Sequence, residues 1–217
     1  MPDFIAIGDI HGCRTMLDLL LAKLPDDGTL IFLGDYIDRG PDAKGVLDRL
    51  LRLREERPCV FLRGNHEAMA IAALRGDTRS AELWLYNGGI ETIHSYAGED
   101  IPDDHWAFLT ATLPYYVTDD FIFVHGGLPP GSQPDESREE ELWWIREPFL
   151  SSDCDWGRLV IHGHTPQPGA KPEIRPNRIN LDTAAVFGGK LTAVLLPERK
   201  FVAVKFGAKP RRTRAKS

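Results

Sequence analysis

Cysteine is scarce in this chain: Cys13, Cys59 and Cys154 are the only three in 217 residues. An odd number with no paired spacing excludes a disulfide framework and a zinc knuckle, and leaves reduced, partly buried thiols as the expected state. Long apolar runs are missing too. No stretch reaches the roughly 18 residues that a membrane-spanning helix requires, and the start, MPDFIAIGDIHG, lacks the basic region and apolar core of a signal peptide. A cytoplasmic protein with no membrane partner is the expectation. Positive charge is in deficit, with 26 Lys and Arg against 32 Asp and Glu for a formal net charge of -6. That balance argues against a general affinity for nucleic acid, which draws on clustered positive charge. The stretch KPRRTRAKS is the exception, and it reads as a solvated basic tail over 208–217 that follows one domain over 1–207.

What is present is an alternation. The apolar run Phe4 to Ile7 stops at Gly8, and from Thr15 to Leu24 the residues Met16, Leu17, Leu20, Leu21 and Leu24 fall at helical spacing. A second round runs from Leu30 to Leu33, stops at Gly34, and leads past Pro41 into Val46, Leu47, Leu50, Leu51 and Leu53. A third has Cys59 to Leu62 as strand and Glu67 to Arg75 as helix, closed by Gly76. Strand and helix alternating in this way predict a mostly parallel sheet with helices outside, its chemistry collected at the carboxyl ends of the strands. Later the character changes to short strand candidates: Tyr115 to Val117, Phe121 to Val124, Leu159 to Ile161, Arg178 to Asp182, Leu191 to Leu196 and Phe201 to Lys205. They predict a second sheet. The segments LPPGSQPDESREE and HTPQPGAKPEIRPN between them read as surface loops.

Five polar clusters each follow an apolar strand: GDIHG from Gly8, GDYIDRG from Gly34, GNHE from Gly64, HGG from His125 and HGHTP from His162. They offer carboxylate oxygen, amide oxygen and imidazole nitrogen, a donor set that suits Mn, Fe or Zn better than a thiolate-seeking ion. Neighbouring glycines let the backbone turn sharply and come close to a metal or a phosphate. Any one cluster alone reads equally well as a turn or a helix cap. Five together, the first three spaced by about one βαβ unit, do not.

In this order the clusters resemble the calcineurin-like metallophosphoesterases. GDYIDRG with GNHE is similar to their phosphoprotein phosphatase branch, and WLYNGGIETIHSYAG, with Trp84, Asn87, Gly88 and Gly89, to its bacterial and phage Ser/Thr phosphatases. The resemblance covers about Phe4 to Phe201. It implies an α/β fold, a four-layer α-β-β-α sandwich of two mixed β-sheets flanked by helices, with two divalent metal ions at one edge, Mn foremost and Fe or Zn as alternatives. It further implies that Asp9, His11 and Asp35 bind the first ion, and that Asp35, Asn65, His125 and His164 bind the second, with Asp35 as the bridge. One departure stands out: Gly163, His164, Thr165 and Pro166 replace the Gly-His-x-His of many other metallophosphoesterases. His162 does not fit the missing position and is left out of the ligand set, so the first ion keeps fewer protein ligands and more room for water.

The reaction expected of this set is direct attack by a metal-bridging water, without a covalent phosphoenzyme. Cys13 is not expected to be a nucleophile, since no Cys-x5-Arg phosphate loop follows it. A leaving alkoxide needs a proton from a group near the metals; His66 is the candidate, and the resemblance pairs it with Asp38. Arg39 is expected to bind phosphate oxygens, with Arg146 of LWWIREPF second, while Arg63, Glu67 and Asp182 support the loops. Substrate choice is expected from the loops Gly76 to Asp104 and Leu128 to Cys154. The leading expectation is a Ser/Thr protein phosphatase acting on a phosphoprotein or a small phosphate ester, phosphotyrosine and aryl phosphates included. The alternative is a dinucleoside polyphosphatase, because the symmetric diadenosine tetraphosphate hydrolases carry similar motifs; an alternative of another class is a noncatalytic phosphate-binding scaffold.

Overall fold

The three rounds of strand and helix fold largely as their spacing predicts in the computed structural model, which describes residues 2–209. β1 (Phe4–Ile7) leads to α1 (Arg14–Leu21), β2 (Thr29–Phe32) to α2 (Ala43–Glu56), and β3 (Cys59–Phe61) to α3 (Asn65–Leu74). Helix α1 ends before the buried Leu24 because Pro25 follows, and a residue preceding proline is disfavoured in helical geometry. Helix α2 is capped by the Asp42 side chain, which accepts from the Gly45 N–H at 2.9 Å. Helix α3 starts two residues earlier than its apolar spacing predicts, because the Glu67 carboxylate in its first turn accepts the Gly64 N–H at 3.0 Å. That shift places Asn65 and His66 in the helix's first turn.

β1, β2 and β3 pair in parallel. The late strand candidates divide between two sheets. β4 (Tyr115–Val117), β5 (Phe121–Val124), β6 (Leu159–His162) and β8 (Arg178–Asn180) build the second sheet, together with the two-residue β7 (Glu173–Ile174). β9 (Lys190–Leu196) and β10 (Lys200–Lys205) instead return to the first sheet, where β9 lies antiparallel to β1. Both five-stranded sheets are therefore mixed, in the orders β10-β9-β1-β2-β3 and β4-β5-β6-β8-β7.

Period-two alternation decides how they stack. Ile5 and Ile7 pack with Leu17, Leu20, Val46 and Leu50 of the helical layer, whereas Ala6 faces Phe123, Ile161 and Ile179 across the gap between the sheets. Strands buried on both faces carry apolar runs, as β1 and β5 do throughout and β2 and β6 do apart from Thr29 and His162. The outer face of the second sheet is closed by Trp143, Phe149 and Trp156 over Ile122, Val124 and Val160.

The segments expected to be loops are partly helical. Gly76 to Asp104 contains α4 (Thr78–Trp84), a π-turn over Leu85–Gly89 and α5 (Ile90–Ser95), followed by α6 (Asp103–Thr110). Gly88 at φ 103° permits the π-turn. Leu128 to Cys154 contains α7 (Glu139–Trp144). Of the expected basic tail, residues from 210 onward lie outside the described residues.

Candidate metal centre

Each of the polar clusters lies just past the carboxyl end of a strand: Asp9 and His11 after β1, Asp35 after β2, Asn65 and His66 after β3, His125 after β5, and His164 after β6. All are buried. Their ligand atoms converge. Nε2 of His11 lies 3.4 Å from Asp35 Oδ2, and Nε2 of His125 lies 3.3 Å from Asp35 Oδ1. Asn65 Oδ1 is 3.1 Å from His125 Nε2 and 2.9 Å from His164 Nδ1. Asp35, expected as the bridge, belongs to both groups of donors that fall within 4.8 Å of one another, one with His11 and His66, the other with His125 and His164.

The first of those groups contains His66 where the resemblance implies Asp9. The Asp9 carboxylate is turned to the His164 N–H, which it accepts at 3.0 and 3.3 Å. Gly163 makes this approach possible, since a Cβ there would collide with Asp9 Oδ1; a Cβ on Gly64 would likewise collide with Asp35 Oδ1. His162, left out of the ligand set, lies apart from both groups. It packs edge-on to Phe149 at 4.8 Å, and burial, then Arg178, lowers it to about 3.

Rings and carboxylates are held from behind. Nδ1 of His11 faces the Ile37 carbonyl at 2.9 Å and Nδ1 of His125 the Leu33 carbonyl at 2.8 Å, so a proton on each Nδ1 turns Nε2 toward the cluster. Glu67 does more than cap a helix. Its two oxygens accept from the N–H groups of Asp35 and Tyr36 at 2.8 Å each and from Gly64 at 3.0 Å, fastening the β2 loop to α3. Five of the residues singled out in the sequence, His11, Asp35, Asp38, Arg39 and His164, adopt positive φ between 45° and 71° without being glycine. Each costs of order 1 kcal/mol or more, and such strain gathers where function demands it.

Nδ1 of His66 lies 2.6 Å from Asp38 Oδ2. Two partners that sequence reasoning did not assign hold that carboxylate: Trp84 donates its indole N–H at 2.9 Å, and Thr92 its hydroxyl at 2.7 Å. Both lie in the family-like segment WLYNGGIETIHSYAG, but nothing local marks Thr92 as a partner of Asp38. With Nδ1 engaged, His66 Nε2 points toward Asp35 Oδ2 at 4.0 Å and is buried without a hydrogen-bond partner. Arg39 reaches the cluster as well, its Nη1 2.9 Å from His11 Nε2 and its guanidinium 5.4 Å from the Phe187 ring centre. Arg146 is exposed just beyond α7, near enough to His164 to help lower it.

The electrostatics fit a pair of cations. Burial, then Asp182 nearby, raises the Asp9 carboxyl well above its ordinary range. Burial acts on Asp35 in the same sense, but the His125 and His66 imidazoles override it and hold that carboxyl well below. Burial lowers His11 to about 3 and His164 to about 2, keeping their lone pairs free. Buried carboxylates facing the neutral imidazoles of His11 and His164 and an amide oxygen, with Nε2 of His164 unpartnered, form a donor set completed by divalent metal. Cys13 does not compete as a nucleophile, because burial pushes its thiol up to about 11.

Two mixed sheets with helices outside and a histidine, aspartate and asparagine cluster at their shared edge define a dinuclear metallohydrolase of phosphate esters. The chain belongs to the calcineurin-like phosphoesterases, whose family pattern it matches over residues 2–196. It is 29% identical to the asymmetrical bis(5'-nucleosyl)-tetraphosphatase PrpE of Oceanobacillus iheyensis, over 91% of this chain and 90% of that one. It is 32% identical to serine/threonine-protein phosphatase 1 of Salmonella typhimurium, over 86% of this chain and 88% of that protein. Among solved structures, a candidate diadenosine tetraphosphatase superposes with a TM-score of 0.74 at 25% identity, covering 95% of this chain and 96% of the other. No helix among the described residues is long and apolar enough to cross a membrane.

Proposed function

We propose that this enzyme hydrolyses a phosphoanhydride bond of a bis(5'-nucleosyl) tetraphosphate, using two divalent ions with Mn favoured over Fe or Zn. The observation that carries the substrate is the likeness to tetraphosphatases along about nine-tenths of the chain, in several relatives and in a solved structure. This reverses the order of the expectations drawn from the motifs, which put the protein phosphatase first and the dinucleotide second. The asymmetrical relatives also favour unequal products over the symmetric cleavage first considered. Hydrolysis of phosphoserine or phosphothreonine monoesters stays as the second reading, supported by the 32% identical Salmonella typhimurium phosphatase.

Asp9, His11 and Asp35 would hold the first ion, and Asp35, Asn65, His125 and His164 the second. Bound there, the ions supply Lewis-acid charge for phosphate oxygens and an acidified water as nucleophile. The backbone carbonyls of Ile37 and Leu33 orient the imidazoles of His11 and His125 for that task. His66, fixed by Asp38, presents Nε2 to donate a proton to the departing oxygen, and Trp84 and Thr92 fix Asp38 in turn. Arg39, and Arg146 at the rim, take phosphoryl oxygens that point away from the cluster.

The test is product analysis by anion-exchange chromatography after incubation with bis(5'-adenosyl) tetraphosphate, beside a phosphoserine peptide, each with defined Mn, Zn, Fe and Mg. Asymmetrical cleavage yields adenosine triphosphate and monophosphate, and symmetrical cleavage yields two diphosphates. Faster turnover of the peptide than of the dinucleotide would replace the first reading by the second.

A further inference from the structure

Beside the ligand cluster, a groove of about 640 Å³ runs between three helices, lined by Ala68 and Met69 of α3, Arg79 and Leu83 of α4, and Trp143 and Trp144 of α7. Trp144 stands where groove and cluster meet. The residue is 37% exposed, yet its ring lies edge-on to the His164 imidazole with centres 6.1 Å apart. A large flat apolar face is thus held in the open beside a buried polar centre. Trp143 next to it is nine-tenths buried, and its indole N–H has no hydrogen-bond partner among the described residues. The Arg63 guanidinium 5.5 Å from its ring centre covers a face of the ring and gives the N–H no acceptor.

We propose that this groove is a nucleobase subsite: one base of the substrate stacks on Trp144 while its phosphate chain extends to the ligand cluster. The inference rests on the dinucleotide reading of the same site. The chemistry is selective in kind, because a purine has a π-face to lay on an exposed indole, whereas a phosphoserine side chain has none. Stacking on an aromatic side chain tolerates different bases, so the groove is expected to favour nucleotides over bare phosphate chains more than one base over another.

The test is calorimetric titration of the manganese-loaded protein with adenosine 5'-(α,β-methylene)diphosphate and, separately, with methylenediphosphonate, which has the same bridged phosphorus pair and no nucleoside. The nucleoside compound is expected to bind about tenfold more tightly, the low end of what one stacked base contributes. Trp144→Ala should remove most of that advantage and Trp144→Phe, which keeps a stacking face, should restore it. Equal affinity of the two compounds for the unaltered protein would overturn the subsite. So would a Trp144→Ala loss of the same factor for both compounds, which would mean that Trp144 merely supports His164. The outcome separates from that of the substrate reading: a Trp144-dependent preference for the nucleoside compound in a protein that does not cleave the tetraphosphate leaves the groove standing and removes the dinucleotide as substrate.

Discussion

Loops leaving the first sheet bring Asp9, His11, Asp35 and Asn65 to the centre, while loops leaving the second bring only His125 and His164. The carboxylate ligands thus come from one sheet and the other contributes nitrogen ligands, while Asp182, after β8, adds a buried carboxyl beside Asp9 outside the ligand set. The anchoring differs as well. On the first side, backbone N–H groups of Ile10 and His11 donate to the Asp35 carbonyl at 3.0 and 2.8 Å, and Glu67 binds the same loop to α3, so three loops form one block. On the second side a single backbone bond, Gly163 N–H to the His125 carbonyl at 2.9 Å, ties the two histidine loops together. Carboxylates held in low dielectric demand rigid support.

If the first sheet's block carries the charge for both ions, Asp35→Asn is the most damaging change. Metal analysis should find both equivalents lost, with affinity falling by more than the about 10- to 100-fold that losing a supporting partner costs. Two full equivalents in that variant would remove Asp35 as the bridge. His66→Asn should keep both ions and lower kcat by roughly two to four orders on an alkyl phosphate ester. Its effect should be smaller on the tetraphosphate, whose leaving phosphate is a weak base and needs less protonation; an equal loss on both substrates would contradict a role as proton donor.

Glu67→Gln sharpens the difference in anchoring. It presents an amide N–H₂ to N–H donors, and should weaken manganese binding by about 10- to 100-fold and cost about 2 kcal/mol in denaturant unfolding. The tie on the second side is the neutral Asn180 side chain, which donates to the Thr165 carbonyl at 2.9 Å and accepts the Asp182 N–H at 2.8 Å.

The second sheet should instead govern pH dependence. In the metal-free fold burial opposes charging of His125, but the Asp35 carboxylate overrides it and raises the imidazole to about 10. The ring must lose that proton to bind a cation. Manganese affinity is therefore expected to rise about tenfold per pH unit across the neutral range, with about one proton released on binding, measurable by calorimetry in two buffers of different ionisation enthalpy. Without metal, the same pair stabilises the fold fully below the ordinary histidine value of about 6.5 and ceases to do so as pH rises through about 10. The smallest effect belongs to the exposed Arg146: Arg146→Ala should raise KM by no more than about fivefold, in line with a solvent-screened contact.

Much of this was legible in the sequence because local signals coincided. Asp9, Asp35, Asn65, His125 and His164 each follow an apolar strand and sit beside a glycine, and the rhythm of Phe4 to Arg75 fixed three parallel strands before any contact was known. What failed was anything decided by distant partners. β9 and β10 look like continuations of the second sheet, yet β9 pairs with β1 and β10 with β9, a choice made by which edge remains open. β7 is two residues long within a proline-rich segment. Thr92 reaches Asp38 from 54 positions away, and a threonine on a helix has no pattern to announce that bond. The helices in the expected substrate loops were missed for a related reason: Gly88 interrupts their periodicity with a π-turn.

The bond from the Leu33 carbonyl to the His125 ring joins the two sheets at the centre itself. A lateral slip of one sheet against the other would sever it at once and turn the imidazole away, even if every strand kept its neighbours. Turnover is thus a sensitive gauge of how the two halves are seated, and on gentle heating it should fade before far-ultraviolet circular dichroism registers any change.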